Sequence, residues 1–117
     1  MKKAGFIRIK PQKRLMKSSY EVIWSDEALN GLTNIITYIK NNFSDKDVNK
    51  FAVLFDEQIS VIQRFPKSFP KSGKSENIRR SIVAKLTSIY YSFDGRVIHI
   101  ISVFDNRMNQ EGLQQST

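Results

Sequence analysis

Between Ile78 and Arg107 the sequence reads IRRSIVAKLTSIYYSFDGRVIHIISVFDNR, with three apolar or β-branched runs at 78–84, 86–93 and 96–104. Asp94-Gly95 separates the last two runs. Both residues tolerate φ > 0, so the dipeptide flanked by strand-forming side chains is a strong hairpin signal. The stretch predicts a meander of three antiparallel strands, with Arg79-Arg80 at its start and Arg107 at its end. Side chains alternate along a strand, so Arg79 and Arg80 point to opposite faces. Ile89, Tyr91 and Phe93 share one face of the middle strand, against Leu86, Ser88, Tyr90 and Ser92. In the last strand Val97, His99, Ile101 and Val103 oppose Ile98, Ile100, Ser102 and Phe104. That strand is apolar on both faces and belongs in the middle of a sheet. His99 then reads as a half-buried structural histidine rather than a general base.

Upstream lies a second ordered set of signals. Tyr20-Glu21-Val22-Ile23-Trp24 alternates as a short strand, with Tyr20, Val22 and Trp24 on one face. Ser25 follows as a helix N-cap, and Asp26 and Glu27 set negative charge against the helix's positive end. Ala28, Leu32, Ile35, Ile36 and Ile39 recur at helical spacing to about Asn41. Gly31 weakens this helix by about 1 kcal/mol relative to alanine, so packing must hold it. Ser44-Asp45-Lys46-Asp47 resembles a capping box and opens a second helix over 45–65. Its apolar face is Val48, Phe51, Ala52, Phe55, Ile59 and Ile62, and Phe65-Pro66 ends it. The phenylalanines read as core rather than as a ligand pocket. The short Asn41-Asn42-Phe43 link makes the two helices an antiparallel hairpin able to cover one face of the sheet.

The chain has 117 residues, enough for one domain with a real core, and its 40% hydrophobic and 26% charged content is ordinary for a globular protein. No apolar run approaches the roughly 18–20 residues that span a bilayer, and the N-terminus has no apolar signal segment. There are no cysteines and one histidine, which excludes a disulfide framework and thiolate or histidine metal clusters. We expect a cytoplasmic protein with no metal and no cofactor.

The formal net charge of +8 suggests nucleic acid as a partner, yet its distribution matters more. Residues 1–17 hold seven basic side chains and no acid, leaving 12 basic and 11 acidic residues in the other hundred. This leader reads as a flexible segment, or as the product of a start codon at Met1 where Met16 is the true initiator; the functional alternative is an arm that contacts phosphates. The segment 64–85 is the second basic region, with Arg64, Lys67, Lys71, Lys74, Arg79, Arg80 and Lys85 against Glu76 alone. Its loop, residues 66–77, is either a solvated connection or a phosphate-facing one. Gly73-Lys74-Ser75 ends like a P-loop, but the earlier glycine and the following helix are missing. Residues 110–117 read as a polar tail.

The ordered segments carry a family resemblance. Tyr20 to Ala28, Ile35-Ile36-Thr37-Tyr38-Ile39, Phe65-Pro66, Ile78-Arg79-Arg80, Ile89-Tyr90-Tyr91 and Ile98 to Arg107 together resemble the RelE/ParE superfamily of toxins from type II toxin–antitoxin (plasmid stabilisation) systems. The likeness covers about residues 19–109, so the toxin domain is expected at 18–109. It implies an α+β fold: an N-terminal strand, an α-helical hairpin and a three-stranded antiparallel meander. It also implies a cognate antitoxin as partner, in a homodimer or a toxin–antitoxin hetero-oligomer.

Two activities follow from the resemblance. RelE-like members cut mRNA on the ribosome without a metal, using Arg and Lys to stabilise phosphate charge and a Tyr, His or Glu as acid or base. ParE-like members inhibit DNA gyrase by binding it. Here Ser88 stands where the nucleases carry an Arg, and nothing aromatic follows Phe104, which ranks the binding toxin first and the endoribonuclease second. A basic nucleic-acid-binding module that is not a toxin is the third reading. For a nuclease, the catalytic candidates are Arg80, Lys85, Tyr91 and Arg107. Each also has a structural role open to it: surface charge for Arg80 and Lys85, packing for Tyr91, and an ion pair with Asp105 for Arg107. The candidates for binding the target or antitoxin are Lys67, Lys71, Lys74, Arg79 and Arg80.

Overall fold

Ser25 and Ser44 set the two helix starts. In the computed structural model, which describes residues 20–73 and 77–108, the Ser25 hydroxyl accepts the Ala28 N–H at 2.9 Å and donates to the Ile101 carbonyl at 2.7 Å. One side chain thus caps helix α1 (Asp26–Asn42) and ties it to a distant strand. At Ser44 the capping box is complete: its hydroxyl accepts the Asp47 N–H, and the Asp47 carboxylate accepts the Ser44 N–H. This opens α2 (Asp45–Arg64), which ends before Pro66 as the sequence predicts. The expectations for residues 1–17, Lys74 and 110–117 lie outside the described residues.

Around the helical hairpin the strands are β1 (Glu21–Trp24), β2 (Ile78–Val83), β3 (Thr87–Phe93) and β4 (Val97–Asp105). They form one sheet in the order β1-β4-β3-β2. The predicted meander is present, with β2, β3 and β4 antiparallel, and β1 returns to pair parallel with β4. Strand β4 is therefore central, in keeping with its apolar character on both faces. The helices cover one face. Ala28, Leu32, Ile35 and Ile39 of α1 and Phe51, Phe55, Ile59 and Ile62 of α2 pack on Val83, Ile89, Tyr91, Ile98, Ile100 and Val103. Ile36 and Val48 are only partly buried at the margin. No helix among the described residues is long and apolar enough to cross a membrane.

Three local features depart from strict sequence reading. The first is in β4. Tyr90 pairs with Ser102 and Tyr91 with Ile100, which leaves Ile101 as an extra residue in a bulge. After it the alternation flips: Val103 and Asp105 join Ile98 and Ile100 on the helix side, and Ser102 and Phe104 turn to the open side with Val97 and His99. The predicted grouping of Val103 with His99, and of Phe104 with Ile98, is thereby corrected.

The second is the β2–β3 turn. Ala84 and Lys85 both have positive φ, 51° and 67°, and the Leu86 N–H donates to the Val83 carbonyl at 3.0 Å. Val83 pairs with Thr87, so Ala84, Lys85 and Leu86 form a three-residue loop whose first two residues take the left-handed conformation without the usual Asn or Gly. Replacing Ala84-Lys85 with Asn-Gly should raise stability by about 1 kcal/mol in urea titration. The third is the β3–β4 connection. Only Gly95 takes positive φ, at 97°, while the Asp94 carboxylate accepts the N–H groups of Arg96 and Val97 at 2.9 and 2.8 Å. Those two bonds hold the Asp94 carboxyl below its ordinary pKa.

Candidate functional site

The face of the sheet away from the helices has no covering layer among the described residues. Its cross-strand register brings Ile82, Ser88 and Phe104 into one row, Arg80, Tyr90 and Ser102 into the next, and Ile78, Ser92, His99 and Ile23 into a third. Arg80 Nε donates to Ser88 Oγ at 3.2 Å, so the guanidinium lies along the sheet. His99 Nε2 is 3.9 Å from Asp94 Oδ2. Ile23, Ile82 and Phe104 are exposed around this polar centre. The open face is thus amphipathic: one arginine, one histidine and several hydroxyls inside an apolar margin. Tyr90 and His99 belong to it, although sequence reasoning did not single them out as site residues. The signal was their parity with Arg80 across paired strands, which is visible only once the register and the bulge are known.

Of the four catalytic candidates only Arg80 is on this face. Tyr91 points to the helix side, is fully buried, and donates its hydroxyl to the Pro66 carbonyl at 2.7 Å. Burial pushes its pKa up to about 12, partly opposed by the charge of Arg79. At neutral pH it is a fixed hydrogen-bond donor. Tyr91→Phe leaves a buried carbonyl unpaired, and should cost about 1–2 kcal/mol in denaturant unfolding.

Lys85 sits exposed at the β2–β3 turn rather than on a strand. Arg107 makes a two-pronged contact with Asp105, Nε to Oδ1 at 3.0 Å and Nη2 to Oδ2 at 2.8 Å. Its guanidinium carbon also lies 5.8 and 5.9 Å from the ring centroids of Tyr38 and Phe43. Burial acts to raise the pKa of Asp105, but hydrogen bonds from Arg107 and Thr87 with the Arg107 charge outweigh it and hold the carboxyl below its usual range. Donating to the Asp105 carboxylate keeps the pKa of Arg107 raised in turn. Arg80, Lys85, Tyr91 and Arg107 are therefore not brought together. The bulge at Ile101 is the physical reason for Arg107, because it turns the end of β4 toward the helices.

The basic loop divides differently. Ser72 N–H donates to the Ile78 carbonyl at 2.7 Å and Arg80 N–H to the Pro70 carbonyl at 3.0 Å, with a bridge between Lys71 and Arg79. Residues 70–72 thus run along the outer edge of β2. Lys67 and Lys71 stay exposed there. The Arg79 guanidinium turns back instead, donating through Nη1 to the carbonyls of Phe69 at 2.6 Å and Lys67 at 3.3 Å. It pins the loop, and Arg80 lies on the open face.

No protein-family model matches this sequence, and no curated protein matches it. Solved structures do. A chain of the chromosomal ParDE TA system from P. aeruginosa aligns with a TM-score of 0.64 at 14% identity, covering 75% of this chain and 97% of that one. A chain of the E. coli DinJ-YafQ toxin-antitoxin complex aligns with a TM-score of 0.46 at 10% identity, covering 77% of this chain and 96% of that one. The likeness to the ParDE chain runs over most of both molecules, and this strand, helical hairpin and three-stranded meander form a RelE/ParE-like fold.

Proposed function

We propose that the chain is the toxin of a type II toxin–antitoxin module, and that it stops growth by binding an essential target of the gyrase type rather than by cutting RNA. The observation that carries this reading is the dispersal of the four basic and hydroxyl side chains that a nuclease site would need. Tyr91 is committed to Pro66 and Arg107 to Asp105. The likeness in fold to a ParDE chain supports it as well. The exposed Ile23, Ile82 and Phe104 give the open face an apolar margin suited to a protein partner. A cognate antitoxin would neutralise the toxin by laying acidic side chains against the exposed Lys67 and Lys71 edge and the open-face Arg80.

A second reading, an mRNA endoribonuclease, draws on the shared placement of Arg80, Tyr90 and His99 on the open face. Placing the gene under an inducible promoter tests the toxin reading itself. Induction is expected to arrest growth, and co-expression of the cognate antitoxin, expected to be encoded by a short acidic open reading frame beside the gene, is expected to relieve the arrest. Lys67→Glu with Lys71→Glu should weaken that relief at least tenfold in antitoxin affinity, most strongly at low salt. Normal growth on induction of folded protein would refute a toxin.

A further inference from the structure

A groove of about 210 Å³ lies between the tip of the helical hairpin and the β2–β3 turn, away from the open face of the sheet. Ile39, Phe43, Phe51 and Leu54 line it from the helices, and Leu86 lines it from the turn. Ile39 and Phe51 are core residues. Phe43 and Leu54 are not: they are 55% and 38% exposed, and the exposed Val53 sits beside Leu54 on α2. Large apolar side chains thus stand in water around a concave surface, which marks it for a partner.

Both walls are fixed. The Phe43 N–H donates to the Ile39 carbonyl at 2.8 Å, and the Arg107 guanidinium that faces its ring is itself held by Asp105. Across the groove Leu86 donates its N–H to the Val83 carbonyl, and its own carbonyl accepts the Asn106 N–H at 2.7 Å. The groove is therefore preformed, with room for a large apolar side chain.

Charge gives the rest of the occupant. Lys50 is on the lining, Lys46 lies one turn before it on α2, and Lys85 lies between Ala84 and Leu86 of the lining; all three lysines are exposed. Among the described residues no carboxylate pairs with any of them. The lining's own carboxylate near them, Asp47, is engaged by Ser44 in the capping box. The turn adds a separate sign. Lys85 holds a φ of 67°, a strained conformation that glycine or asparagine would relieve. Strain of this kind persists where a side chain is needed in place, and here it keeps a lysine beside the groove. We infer that this groove docks an amphipathic segment of an acidic protein partner: one apolar side chain enters between Phe43, Leu54 and Leu86, and flanking carboxylates meet Lys50 and Lys85. This site is separate from the open face and does not depend on the toxin reading.

Fluorescence anisotropy of the full-length chain with the fluorescein-labelled peptides EELLEELLEE and EESSEESSEE tests it, with melting curves to confirm folding. The two peptides carry the same charge, so attraction by the chain's overall positive charge cancels between them. Wild type should bind the leucine peptide about tenfold more tightly, and Phe43→Ser with Leu54→Ser should remove that preference. Lys85→Gly should split stability from binding. It relieves the turn, so the urea midpoint should not fall, while affinity for the leucine peptide should drop about threefold at low salt. In proton–nitrogen correlation spectra the leucine peptide should shift the amides of Phe43, Leu54 and Leu86 and leave those of Arg80 and Tyr90 in place. Equal affinity for the two peptides, or shifts confined to the open face, would overturn the site. A dimer in sedimentation velocity that dissociates in Leu54→Ser would overturn it too, in favour of a second copy of this chain.

Discussion

Gly31→Val should destabilise the protein by about 3 kcal/mol, near the upper end of overpacking costs in a filled core. Gly31 sits mid-helix, where glycine alone is unfavourable and alanine would gain about 1 kcal/mol. Helix α1, however, crosses β4 at this residue, and a Cβ built there would collide with the Val103 carbonyl oxygen. The obstacle is backbone in the central strand, so no side chain can swing aside. Even Gly31→Ala should therefore lose about 1–2 kcal/mol net of its helix preference. Urea unfolding decides the sign. A Gly31→Ala protein more stable than wild type would mean that helix propensity rules at this position and that α1 does not lie so close on β4.

Asp105→Ala should cost about 2–4 kcal/mol, because one carboxylate serves several donors. It is 2% exposed, accepts the Thr87 hydroxyl at 3.0 Å, the Arg107 N–H at 2.9 Å, and both prongs of the Arg107 guanidinium. Removing it strands the buried Thr87 hydroxyl and frees Arg107 from its place over Tyr38 and Phe43. Asp105→Asn keeps the shape and should cost less, about 1–2 kcal/mol. Wild type and Asp105→Asn also separate in pH. The carboxyl's folded pKa lies below its unfolded value of about 3.9. Its contribution is then complete above that value and disappears as pH falls through the lower, folded one. Wild type should lose stability on acidification over that range, and Asp105→Asn should lack that part of the loss. Identical acid profiles would show that Asp105 is not charged and paired in the native state.

These contacts explain why some of the fold is legible in the sequence and some is not. Ser25, Ser44 and Asp94 act on backbone groups two or three residues away, so their roles can be read locally. The Asp105–Arg107 pair is equally local, and its mundane reading is the one observed. Gly31, by contrast, looks like a defect until its neighbour far along the chain is known. The Ala84-Lys85 turn carries neither Asn nor Gly at its two positive-φ positions. The bulge at Ile101 has no side-chain signature, yet it decides which face Asp105 and Phe104 take. For the same reason the site was harder to read than the fold. A one-residue shift in one strand moved Arg107 away from Arg80 and joined Ser102 to the row of Arg80 and Tyr90. Tyr91, the natural hydroxyl candidate, lies on the core side of β3 with Ile89 and anchors a loop through the Pro66 carbonyl.

The proposed toxin is expected to act by binding its target and not by cleavage. Induced cells offer the most direct measurement: primer extension on abundant transcripts and plasmid topology on a chloroquine gel, taken from the same culture during growth arrest. Action by binding requires intact transcripts together with relaxed or broken plasmid DNA, in wild type and in Tyr91→Phe alike. Codon-positioned transcript cuts that disappear in Arg80→Ala, with supercoiling unchanged, would contradict it and assign the open face to RNA cleavage.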